Sequence, residues 1–96
     1  MPDVAVGLLE AGACLLDVRD EAEWAHARIT GALHIPMDEL SERLAEVPTD
    51  RPVIVMCAAG ARSQSAAQWL QAQGRDAANL AYGIRGWHAM GLPIER

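Results

Sequence analysis

The 96 residues carry 51% apolar side chains and a formal charge of −5, which fits one globular domain over residues 1–96 and is too apolar for a disordered chain. The acidic balance argues against nucleic acid or an anionic membrane surface as a partner, since both require a basic face. No apolar run is long enough to span a bilayer and no signal-peptide pattern opens the chain, so a cytoplasmic protein is expected.

Residues 4–11 predict a short helix with Val4, Leu8 and Ala11 on one face, stopped by Gly12. Cys14-Leu15-Leu16, ending in Asp17, has the pattern of a buried strand. Asp20-Glu21-Ala22-Glu23-Trp24 starts a second helix, with its acidic residues where the helix dipole favours them. Ala32-Leu33-His34-Ile35 is a short strand stopped by Pro36, and residues 38–45 predict a helix with Leu40 and Leu44 one turn apart. A turn-rich break at 48–52 leads into the clearest strand, Val53-Ile54-Val55-Met56, of which three residues are β-branched. Beyond Cys57-Ala58-Ala59-Gly60-Ala61-Arg62, a helix is expected over residues 63–73 with Ala66, Trp69 and Leu70 inward. A weak strand at Ala78-Asn79-Leu80 and a last helix carrying Ile84, Trp87 and His88 close the chain. Trp24, Trp69 and Trp87 are expected in the core, and His26, His34 and His88 at the surface or in packing roles.

Strands alternating with helices, and too apolar to face water, imply an α/β fold with a mostly parallel sheet covered on both faces. Neither Cys14 nor Cys57 belongs to a Cys-x-x-Cys pair, and no Cys and His cluster has zinc spacing. No metal and no cofactor are expected. All eight basic residues are Arg, which excludes Schiff-base lysine chemistry.

Ligands of open α/β sheets bind beyond the carboxyl ends of the strands, where Asp17 and Cys57 both fall. Cys14, set among apolar neighbours, reads as a packing residue. Cys57 opens a loop of small residues that runs into a helix. Such a loop, with Gly60 free to take positive φ, can turn successive backbone N–H groups towards one centre. The helix N-terminus adds unpaired donors. A thiolate at that centre is stabilised, so the Cys57 pKa is expected below the free value of about 8.5. Arg62, in the first turn, opposes the helix dipole by typically 0.3 to 1 kcal/mol. It therefore predicts a partner nearby, either a bound anion or a carboxylate such as Asp17.

Strand, cysteine, small loop, arginine and helix together resemble the rhodanese active-site loop, Cys-x-x-Gly-x-Arg. Leu16-Asp17-Val18-Arg19 with Glu23-Trp24 is similar to a second signature of that family, and Ile29-Thr30-Gly31-Ala32-Leu33-His34-Ile35-Pro36 to a third. Asn79-Leu80-Ala81-Tyr82-Gly83-Ile84-Arg85-Gly86-Trp87 with Gly91-Leu92-Pro93 resembles its closing segment. The resemblance implies a three-layer fold with a sheet of four to five strands, and sulfur transfer through a Cys57 persulfide. Thiosulfate, or a similar sulfur-containing anion, is the implied donor, with cyanide, a thiol or a sulfur-relay protein as acceptor. It makes Cys57 catalytic, gives Ala58, Ala59, Gly60, Ala61 and Arg62 to substrate binding, and makes Asp17 and Arg19 supporting residues. Arg19 is expected to pair with Glu23. Three departures stand out: Ala27-Arg28 replaces Gly-His, Tyr82 replaces the first Gly of a Gly-Gly pair, and Ala58 replaces a polar or basic residue. The short edge strand before the first helix is expected to be truncated or missing.

Two other functions share this scaffold. A cysteine phosphatase or arsenate reductase would have five residues between Cys and Arg, where this chain has four, Ala58 to Ala61. A protein-binding module or a persulfide carrier without turnover would keep the fold; the presence of Cys57 and Arg62 argues against a catalytically dead domain.

Overall fold

The apolar segments of the sequence become a parallel sheet. In a computed structural model that describes residue 9 and residues 11–96, β1 (Cys14–Asp17), β2 (Leu33–His34), β3 (Val53–Met56) and β4 (Ala77–Asn79) lie in the order β2-β1-β3-β4. Every neighbouring pair among them is parallel. Most of the predicted helix over residues 4–11, and any edge strand before it, lie outside the described residues. The predicted glycine stop is within them: Gly12 has φ 100° and donates its N–H to the Leu9 carbonyl at 3.1 Å.

Alternation along the strands builds two cores, one on each face of the sheet. Leu16, Val53, Val55 and Cys57 point to one side, where Ala66, Ala67 and Leu70 of helix α2 (Ala61–Ala72) meet them. Leu15, Ile54 and Met56 point to the other, against Ile29 and against Ile84 and Trp87 of helix α3 (Gly83–Ala89). β3 is thus buried on both faces, as a near-continuous apolar strand must be. Helix α1 (Glu21–His26) buries no residue. It is held at its start by a capping box, in which Glu23 N–H donates to Asp20 Oδ1 at 2.8 Å and Asp20 N–H to Glu23 Oε1 at 3.3 Å. No helix among the described residues is long and apolar enough to cross a membrane.

Three expectations change. Residues 38–45 are not one helix but two 3₁₀ turns, Met37–Glu39 and Leu44–Glu46. The tighter path lets both Leu40 and Val47 enter the core, so tertiary burial overrides the Leu40–Leu44 helical spacing. Helix α2 starts at Ala61, two residues before the expected position, because Gly60 in the left-handed region (φ 105°) turns the chain directly into it. Of the three tryptophans, only Trp87 is fully in the core. Trp24 is half-buried and stacks on His34 at 4.5 Å between ring centres, while Trp69 packs from the edge of the α2 core.

Candidate active site

The strand order places the site. From β1 the chain crosses to β2 on one side, and from β3 to β4 on the other, so the topological switch point lies between the carboxyl ends of β1 and β3. Asp17 pairs in register with Met56 there, which puts Cys57 at the head of the crevice.

Cys57 continues the Val53–Val55 face towards α2 and is 1% exposed. Its Sγ accepts hydrogen bonds from Gly60 N–H at 3.1 Å, Ser63 N–H at 3.4 Å and Ser63 Oγ–H at 3.3 Å. Gly60, the N-cap of α2, offers no side-chain acceptor, so the sulfur occupies the place that a capping oxygen usually takes. The loop carbonyls face away from the sulfur: Cys57 O accepts from Ile84 N–H at 2.9 Å and Ala58 O from Arg85 N–H at 3.1 Å. The first turn of α3 therefore fixes the peptide planes that aim the loop N–H groups at Sγ. Burial alone would raise the Cys57 pKa. The hydrogen bonds from the Ser63 hydroxyl and from the N–H groups of Ser63, Gly60 and Ala59 outweigh it and bring the thiol down to about 7 from its ordinary 9.0. The expectation of a depressed thiol is met, with Ser63 as the largest favourable contributor.

Two glycines make the approach possible. A Cβ on Gly60 would lie 2.2 Å from the Ala81 carbonyl oxygen, and one on Gly83 would lie 2.4 Å from that of Ala58. Both residues also have positive φ, 105° and 59°, so the loop and the start of α3 close on each other only with glycine at these places. Ala58, Ala59 and Ala61 bring methyl groups alone. Tyr82 packs beside the Ile84–Trp87 core.

The charged partners differ from those expected. Arg62 finds a carboxylate, as expected, but that of Glu23 in place of Asp17; it grips it with two hydrogen bonds, Nη1 to Oε1 at 2.7 Å and Nη2 to Oε2 at 3.0 Å. These bonds hold the Glu23 carboxyl down at about 2. They also hold the Arg62 proton more tightly than usual, helped against partial burial by the charges of Glu23 and of the Cys57 thiolate. Arg19 is not the partner of the Glu23 carboxylate. Its Nε and Nη2 bind the Asp17 carboxylate at 2.7 to 3.1 Å, and its remaining donors reach the carbonyls of Glu23 and Ala27. The reason is burial: Asp17 is fully buried at the strand end and its charge needs a partner within reach. Asp17 and Arg19 thus tie β1 to α1 beneath the site, and Arg62 ties α2 to α1 above it.

Sequence reasoning passed over two polar residues that the fold brings to the sulfur. Ser63 is fully buried, and its Oγ also lies 2.5 Å from Asn79 Oδ1 and 3.2 Å from the Gly60 carbonyl. Asn79 Nδ2 in turn donates to that same Gly60 carbonyl at 3.2 Å. One hydroxyl proton faces three acceptors, so it rests on Asn79 or Gly60 while Cys57 is a thiol and turns to Sγ when the thiolate forms. Ser63 was passed over because the helix was expected to begin at it, whereas the observed start at Ala61 makes it the third residue, facing the sulfur; Asn79 was not legible, because only the pairing of β4 with β3 brings it near.

The comparisons agree with this geometry. A family profile described as "Rhodanese-like domain" matches residues 1–90. A protein named "Sulfurtransferase" from Allochromatium vinosum is 43% identical over 81 residues, 83% of this chain and 76% of its own. "Thiosulfate sulfurtransferase GlpE" of Actinobacillus pleuropneumoniae is 40% identical over 96 residues, 98% of this chain and 89% of its own. The crystal structure of a rhodanese-related protein from Thermoplasma volcanium superposes with a TM-score of 0.84 at 30% identity, covering 88% of this chain and 85% of that one. With the parallel sheet, the cysteine loop and these relatives in agreement, the chain belongs to the rhodanese-like family.

Proposed function

We propose that this domain, residues 1–96, is a thiosulfate sulfurtransferase that works through a persulfide on Cys57. The observation that carries the reading is the ring of donors closed on Sγ, with the thiol brought down to about 7. A thiolate so poised attacks the outer sulfur of thiosulfate. The new S–S bond forms as the sulfur–sulfur bond of thiosulfate breaks, sulfite leaves with the bonding pair, and Cys57 carries a persulfide anion. The N–H groups that stabilise the thiolate also favour Cys57 as the leaving thiolate when the outer sulfur is passed on. Cyanide then attacks the outer sulfur, forming thiocyanate and returning the thiolate; a cellular thiolate does the same and leaves as a persulfide. Such chemistry suits a reducing cytoplasm, where thiols stay free.

Ala58, Ala59, Gly60 and Ala61 form the backbone cradle for the transferred sulfur. Arg62 holds the mouth of the loop against α1 through Glu23, and Asp17 with Arg19 holds its base. The donors converge on the sulfur itself, an arrangement that supports a sulfur-sized group in place of a phosphoryl group. Steady-state thiocyanate formation from thiosulfate and cyanide tests the proposal. Parallel double-reciprocal lines in the parent and no turnover in Cys57→Ser are expected; turnover that survives Cys57→Ser would overturn it. A persulfide that forms once but fails to turn over with small acceptors would point instead to a carrier that serves a protein partner.

A further inference from the structure

On the face of the sheet that carries Cys57, α2 and the two 3₁₀ turns do not close completely on each other. A groove of about 250 Å³ runs between them, lined by Met37, Leu40 and Ser41 on one side and by Ser65, Ala66 and Trp69 on the other. Met37, Leu40, Ala66 and Trp69 pack in the same core as Cys57. Ser65, Ala66 and Trp69 follow Arg62 at three, four and seven positions, so they continue its stripe of α2 away from the loop mouth, over about 10 Å of helix axis. Trp69 is half-buried, and its indole N–H has no acceptor among the described residues. An indole packed at one end and free to donate at the other is characteristic of protein interfaces. The groove is smaller than the roughly 300 to 1,000 Å³ of small-molecule sites, and suits the protruding side chains of another protein.

The rim gives the groove a sign. Asp38 and Glu42 are exposed and have no cationic partner among the described residues, while Arg43, the one cation between residues 37 and 46, is held by Glu39 and Glu46. Beyond Arg62, which is bound to Glu23, α2 carries no charge. We propose that this groove docks an apolar and basic segment of the protein thiol that takes sulfur from Cys57, with Trp69 receiving an apolar side chain and Asp38 and Glu42 receiving lysine or arginine. The inference rests on the Cys57 persulfide and names the partner of that same site. With the segment seated, the partner's thiolate attacks the outer sulfur. A new S–S bond forms as the bond between Cys57 and the outer sulfur breaks, and Cys57 leaves as the thiolate. An acidic partner meets Asp38, Glu42 and a chain of net charge −5, and is repelled.

The probe is a short synthetic amphipathic peptide of leucine, lysine and serine, and its binding to the isotope-labelled protein is followed by NMR at low salt. The signals of the Trp69 indole N–H and of the Ser41 and Ser65 amides are expected to shift. The Asp38→Asn, Glu42→Gln double variant should bind about fivefold more weakly, as the loss of two exposed ion pairs allows. Asp50→Asn, Asp76→Asn makes the same charge change ahead of β3 and β4, at the opposite end of the sheet, and should bind like the parent. Equal weakening in that control, equal binding of the peptide with glutamate for lysine, or shifts confined to other residues overturns the proposal. Shifts of the groove signals on dilution of the protein alone, with no response to the peptide, assign the groove to a second copy of the chain and also overturn it. Sulfur transfer is read separately, by giving the persulfidated protein the same peptide with one serine replaced by cysteine, beside glutathione. The parent should transfer sulfur to the peptide faster than to glutathione; the Asp38→Asn, Glu42→Gln variant should lose that preference and keep the parent rate with cyanide. Equal rates for both thiols in the parent overturn the assignment to the acceptor. Because the serine peptide needs no sulfur transfer, its binding to a protein that forms no persulfide would keep the groove and lose the sulfur-transfer reading, and transfer to cyanide without peptide binding would do the reverse.

Discussion

At the scale of single residues, the reactivity of Cys57 depends on a hydroxyl and an amide. Ser63 is the largest favourable influence on the thiol, so Ser63→Ala should move the midpoint of the pH–alkylation profile up from about 7 by about one pH unit. The alkylation rate at neutral pH then falls several-fold. Asn79→Asp places a carboxylate against the same hydroxyl and should raise the midpoint further, whereas Asn79→Ala removes an acceptor that competes with the sulfur for the Ser63 proton and should lower it slightly. A flat response of the midpoint to all three substitutions would remove Ser63 and Asn79 from the account. The stability consequence has a definite sign. The thiol pKa is lower in the fold than its ordinary 9.0, so the contribution is fully present above pH 9 and is lost as pH falls through about 7. Cys57→Ala should flatten that part of the urea stability-versus-pH curve.

At the scale of elements, the loop between β3 and α2 works because it meets α3 without side chains in the way. Gly60→Ala would place a Cβ 2.2 Å from the Ala81 oxygen at a φ of 105°. It is expected to cost about 2 kcal/mol or more in urea unfolding and to reduce turnover at least tenfold; a variant with parent stability and rate would contradict the close packing. This loop was legible in the sequence because its determinants are local: an apolar strand, a cysteine, small residues, one glycine and a helix. The start of α2 was misjudged by two residues because a left-handed glycine caps without a side-chain signal. Residues 38–45 were misread for the opposite reason. Their Leu40–Leu44 spacing is helical, but Val47 also has to reach the core, and no local pattern records that demand.

At the scale of the whole molecule, the site is carried by ion pairs that knit separate elements together. Asp17 and Arg19 are both buried and satisfy each other and two carbonyls. Removing either partner leaves an uncompensated buried charge, and Asp17→Ala is expected to cost about 3 to 5 kcal/mol in urea unfolding, a large share of what a small domain has. Replacing both by Leu and Met should recover part of that loss. The identity of the pairs was the part of the site that the sequence did not reveal. Arg19 and Glu23 are one helical turn apart and invite pairing on paper, yet Asp17 takes Arg19 because it is the more buried acid, and Glu23 is left for Arg62, thirty-nine positions away. The parallel α/β class, by contrast, followed from the alternation of apolar strands with helices, and so did the place of Cys57 beyond the carboxyl end of a strand; the strand order β2-β1-β3-β4 did not. The most direct test of the central claim is the intact mass of the reduced protein after incubation with thiosulfate, beside Cys57→Ala. Gain of one sulfur atom by the parent, removed by cyanide and absent from the variant, is the predicted result; no gain in a folded parent, or an equal gain in Cys57→Ala, would contradict the persulfide on Cys57.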